Sequence, residues 1–144
     1  MAIFGSKEAP QAQGVTLERA QAVIETARRK AEQIGVAQNI AIVDAGNNLV
    51  AFAHMDGAWL GSIDIAQNKA YTARAFDMET KALGKMSQPG EPLFGIHASN
   101  DGKLIIFAGG IPLKQGGQVV GAIGVSGGTV DQDQEVAEAG VAAF

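Results

Sequence analysis

The amino-acid sequence predicts an α+β domain in which helices are layered on a mostly antiparallel sheet. Three observations carry that prediction. Residues 16–34 repeat apolar side chains at three-and-four spacing (Leu17, Ala20, Val23, Ile24, Ala27, Ala31, Ile34), which forms one buried helix face. Residues 39–44 and 49–55 are apolar on both faces, Ile40 and Ile42 against Ala41 and Val43, then Leu49, Ala51 and Ala53 against Val50 and Phe52. Strands of that kind need cover on both sides. A third apolar segment, 119–125, runs into Ser126-Gly127-Gly128 and then into a helix-start signal at Thr129.

In chain order, residues 1–14 carry Pro10 and little apolar pattern and are expected to be a mobile lead-in to one domain over 15–144. Thr16 is placed to cap the first helix, and Gly35 to end it in the left-handed conformation. Gly46-Asn47-Asn48 turns the first two strands into a hairpin. A second long helix is expected over 57–76, with Ile63, Ala66, Ala70 and Ala73 as a narrow small-residue face, and a short helix over 80–85. Pro89-Gly90 marks a loop, and Asp101-Gly102 a turn into an expected strand at 103–107. Strands at 111–114 and 119–125 are joined at Gly116-Gly117, giving five strands in all. In the last helix Gln132 stands three residues after Thr129, the spacing of a capping box, and Asp131, Asp133 and Glu135 place negative charge at the positive end of the helix dipole.

Composition narrows the functional classes. With 144 residues, 47% of them hydrophobic and 18% charged, the chain suits a single globular domain. A net charge of −4 without a basic cluster argues against a nucleic-acid surface. The absence of cysteine excludes disulfides, thiolate metal sites, thiol nucleophiles and covalent haem attachment. No apolar run is long enough to span a membrane, and the first residues do not form a signal peptide, so a cytoplasmic location is expected.

Several side chains are candidates for chemistry. His54 closes the second strand on the same face as Phe52, and it serves equally as a hydrogen-bonded strand-end residue or as an acid–base or ligand group. Lys69 lies among Ala66, Ala70 and Ala73, an unusually apolar setting in which a lysine either meets an anionic ligand or snorkels to water. The turn Ser126-Gly127-Gly128-Thr129 offers N–H groups at a helix start, although three nearby carboxylates oppose an anion there. Gly124-Val-Ser126-Gly-Gly128 matches a hydrolase nucleophile elbow, but His54 and His97 both precede the serine, against the required order. His97 reads as a surface residue. Asp131, Glu135 and Glu138 line one helix face and read as its solvated side, with no metal expected.

Gly121-Ala-Ile-Gly-Val-Ser-Gly-Gly with Asp-Gln-Asp and Ala-Glu-Ala-Gly140, together with Ile42-Val-Asp-Ala-Gly46, Met55-Asp-Gly-Ala58, Ala66-Gln-Asn-Lys-Ala-Tyr-Thr-Ala73 and Gly109-Gly-Ile-Pro112, resembles the GlcG/HbpS (haem-degrading) family, related to the C-terminal domain of PduO-type proteins. These pieces run in order along almost the whole chain from residue 15. The resemblance implies a profilin-like α/β/α sandwich with a five-stranded, mostly antiparallel sheet and helices on both faces. It also implies a homo-oligomer, and binding of haem or a similar planar anionic ligand, extending to its degradation. For such a ligand the candidate binding residues are His54, Lys69, Arg74, Ser126, Gly127, Gly128 and Thr129, with His54, His97, Tyr71 and the methionines as candidate axial ligands and Lys69 and Arg74 as partners for haem propionates. The family usually has an arginine where this chain has His54, so any role of that arginine is in doubt here. The alternative is a cofactor-free enzyme acting on a small carboxylated metabolite, with His54 as acid–base and Lys69 as anion anchor.

Overall fold

The computed structural model describes residues 14–144. The lead-in expected over 1–14 lies outside that range except for Gly14, whose N–H donates to Gln115 Oε1. Four helices, α1 (Leu17–Ile34), α2 (Gly61–Phe76), α3 (Thr80–Met86) and α4 (Val130–Ala142), pack on four strands, β1 (Asn39–Asp44), β2 (Leu49–His54), β3 (Gly110–Gln115) and β4 (Gln118–Ser126). The sheet order is β2-β1-β4-β3, antiparallel throughout.

The sheet is covered on both faces, and the two faces are built differently. Ile40, Ile42, Ile111, Leu113, Ile123 and Val125 meet Val23, Ala27, Ala31, Val136 and Ala137 of α1 and α4 in the larger core. On the other face Ala41, Val43 and Ala122 meet Ala66, Ala70 and Ala73 of α2. That second layer is thin because both surfaces are made of small residues. A Cβ at Gly124 would stand 2.0 Å from Ala66 O and 2.5 Å from Ala70 N, so only glycine lets α2 sit this close to β4.

The helix ends follow the sequence signals. Thr16 Oγ1 accepts from Arg19 N, and Gly35 ends α1 with φ of 75°. Thr129 and Gln132 form the full capping box on α4. The second helix starts at Gly61 rather than 57, after a turn in which Ala58 N–H donates to Met55 O.

Two expectations are corrected. Among the described residues there is no fifth strand: residues 103–107 form no ladder. Instead Ile105 N–H donates to Thr72 Oγ1, buried Leu104 points inward, and the Ile106 carbonyl lies against Gly84. The apolar run Leu104-Ile-Ile is spent on packing against α2 and α3 beside the sheet. The second correction concerns β2, the sheet's edge, whose cover is only partial: Val50 and Ala51 pack against the larger core and Phe52 against the smaller one. It is partly exposed along its length, with Leu49 at 51% exposure.

Candidate functional site

One cross-strand row organises the candidate site. Asn39, the first residue of β1, pairs with His54 on β2 and with Ser126 on β4. His54 and the glycine turn therefore lie at the same end of the sheet. Asn39 is fully buried; its Oδ1 lies 2.6 Å from His54 Nδ1, and its Nδ2 donates to Trp59 O at 3.1 Å. The His54 ring is exposed at a hollow of about 360 Å³ that Arg28, Glu32, Met55 and Asp56 also line. Arg28 is paired there with Glu25 and Glu32. Asp56 leads into a second hollow of about 430 Å³ formed by 35–37, Gly57, Ala58, Trp59, Gly127, Gly128, Thr129 and Gln132. Trp59, which lines it, and its neighbour Leu60 are 69% and 81% exposed.

Lys69 reaches the same end of the molecule from inside. Its side chain has no exposure; Nζ donates to Asp133 Oδ2 at 2.9 Å and to Val125 O at 2.8 Å, and lies 5.1 Å from the centre of the Phe107 ring. Asp133, also buried, accepts from Gly128 N–H through its other oxygen at 2.9 Å. Burial pushes the Lys69 ammonium below its usual pKa, while the charge and hydrogen bond of Asp133 push it back up. The donors of the turn are likewise taken from within, Gly128 N–H by Asp133 and Thr129 N–H by Gln132. Gly127 has φ of 151°, and a Cβ there would meet Ala37 O at 2.6 Å, so the turn excludes any other residue.

The row thus sets His54 and Ser126 at one end of the sheet, on strands either side of β1 and beside separate hollows, and Asp133 ties Lys69 to the turn from behind. It does not bring Lys69 to His54 across an open cavity. A substrate carboxylate or haem propionate at Lys69 would have to displace Asp133. Arg74 sits elsewhere: it donates to Ala45 O and pairs with Asp77, near the Asp44 end of β1, about 17 Å from Asn39 at strand spacing. Asp131, Glu135 and Glu138 are exposed on α4, with Glu135 paired to Lys30, and among the described residues no cluster of three metal-ligating side chains is present. Sequence reasoning missed Asn39 and Asp133. A lysine on a face of alanines needs a buried counter-charge, and that requirement was the available signal for Asp133; for Asn39 there was none, because the row exists only once the strands are in register.

Four helices on a four-stranded antiparallel sheet make the described residues an α+β fold. Within it the family is specific: the chain belongs to the family described as haem-degrading protein HbpS-like, whose model matches residues 15–142. A 15.0 kDa protein from the dhaT-dhaS intergenic region of Citrobacter freundii is 39% identical over 90% of this chain and 92% of its own. The crystal structure of the Klebsiella pneumoniae protein ORFY is similar with a TM-score of 0.90 and 39% identity, covering 96% of each chain. A crystal structure of a PduOC–haem complex is similar with a TM-score of 0.88 and 32% identity, covering 92% of this chain and 96% of that one. No helix among the described residues is long and apolar enough to cross a membrane.

Proposed function

We propose that the protein binds haem, or a planar anionic ligand like it, at the surface around His54. The observation that carries this reading is the exposed His54 imidazole, which lines a hollow and is held at Nδ1 by buried Asn39. A haem site needs an axial ligand, an apolar surface for the macrocycle and cations for the carboxylates. His54 supplies the first, and Met55 is the apolar side chain lining its hollow, with exposed Trp59 and Leu60 a few residues on in the chain. Arg28 is the cation lining the His54 hollow, where haem carboxylates would compete with Glu25 and Glu32. A relative of 32% identity has been crystallised with haem, which supports the same ligand class for this chain. Haem would supply an electrophilic iron for the imidazole; the protein's part is to present that ring and shield the ligand from water. The half-exposed edge strand β2 also supports a homo-oligomer assembled around this face.

Titration of the protein with hemin, followed in the Soret band, tests the reading. Wild type is expected to shift the band with one equivalent per chain, and His54→Ala to lose that shift or bind at least tenfold more weakly. Either no shift with wild type, or identical titrations of the two proteins, would refute it.

A further inference from the structure

We infer that Asn39 is a positioning residue that fixes the His54 tautomer, so that Nε2 presents a lone pair to the ligand; this rests on the reading of His54 as the ligand-side imidazole. A buried carboxamide has one end that donates and one that accepts, and its neighbours decide which faces which way. The Trp59 carbonyl can only accept, so the Asn39 NH₂ must face it, at 3.1 Å. Oδ1 is then the atom 2.6 Å from His54 Nδ1, and an amide oxygen can only accept. The neutral imidazole must therefore carry its proton on Nδ1. Histidine side chains free in water favour the other tautomer, with the proton on Nε2, so Asn39 reverses the ordinary preference. Among the described residues Nε2 makes no hydrogen bond, and the ring is exposed at its hollow.

The same carboxamide does a second job. Leu60 caps α2 without a side-chain hydrogen bond, so the backbone entering the helix has no polar side-chain cap of its own. The bond from Asn39 to Trp59 O tethers that entry to the start of β1. One buried side chain at a cross-strand position thus orients the imidazole and ties down the entry to α2, as outer-shell partners do for ligating histidines. The class of ligand this favours is an electron-pair acceptor at Nε2: a metal centre such as haem iron, or a group that brings its own proton.

The test is nitrogen NMR of the isotope-labelled full chain at about pH 8, where an unperturbed imidazole is neutral. His54 is expected to show a protonated Nδ1 and a bare Nε2, whereas exposed His97, which makes no side-chain hydrogen bond among the described residues, is expected to show the opposite preference. In Asn39→Leu, confirmed folded by circular dichroism, His54 is expected to move to the pattern of His97, and hemin affinity to fall by about tenfold or more. A wild-type His54 carrying its proton on Nε2 would overturn the inference. So would a folded Asn39→Leu variant with an unchanged tautomer. If the variant does not fold, the wild-type spectrum still decides. A bare Nε2 in a protein that fails to shift the Soret band would leave the role of Asn39 standing and remove haem as the ligand, so the two readings fail separately.

Discussion

Replacing Lys69 by methionine isolates the buried ion pair behind the glycine turn. Methionine is close in volume and unbranched, so the apolar stem is preserved and little cavity forms. What is lost is the 2.9 Å contact to Asp133 and the 2.8 Å bond to the Val125 carbonyl. Asp133 is only 2% exposed, and with the ammonium gone its carboxylate keeps one partner, the Gly128 N–H. Removing one partner of a buried pair leaves an uncompensated charge, which costs about 3–5 kcal/mol. At about 3 °C per kcal/mol for a domain of this size, Tm should fall by roughly 10 °C or more. Urea and thermal unfolding followed by circular dichroism would measure both. Lys69→Met with Asp133→Asn removes the stranded charge while keeping an acceptor for Gly128, so the double variant should be more stable than Lys69→Met alone. A single-variant cost below about 1 kcal/mol, the range of solvent-exposed pairs, would refute the placement of Lys69. A double variant showing simple additivity would refute the pairing.

Two further outcomes follow from the same packing. Because the folded-state pKa of Lys69 lies below its usual value of 10.5, the unfolded chain binds more protons between the two values, and stability contributed by this group rises with pH across that window. The wild-type advantage over Lys69→Met in unfolding free energy should therefore widen as pH approaches 10.5 from below, and a narrowing gap would contradict the dominance of burial. Gly124→Ala forces a Cβ against the Ala66 carbonyl and the Ala70 nitrogen, backbone atoms that cannot swing aside, so a loss of about 1–3 kcal/mol or more is expected in urea unfolding. A neutral result would mean that α2 is not seated on β4 as described.

Local chemistry was legible wherever the deciding contacts lie within a few residues. Thr16 and Gly35 bound α1, Thr129 and Gln132 close their capping box, and Gly116-Gly117 joins β3 to β4, because caps and two-residue turns are satisfied by their own neighbours. The alanine face of α2 also announced close approach to the sheet. Residues 103–107 misled because a short apolar run has the same composition whether it pairs in a ladder or packs beside one. Its fate was set by Thr72 and Gly84, which are distant in sequence. The cover over β2 is only partial for a related reason: apolar residues on both faces indicate that something must meet them, without fixing how much of each face it covers.

By itself the sequence determined the class of the domain, its family, and the individual groups able to do chemistry, since periodicity, caps and motifs are written in neighbouring residues. Only the tertiary structure decided which groups meet. It turned Lys69 inward to Asp133, moved Arg74 to the far end of β1, and set Asn39 between His54 and Ser126. The reason is that a charge or a carboxamide takes its function from the partner at the other end of its hydrogen bond. Here those partners lie 15, 20 and 64 residues away along the chain and are brought within reach only by strand register and helix docking.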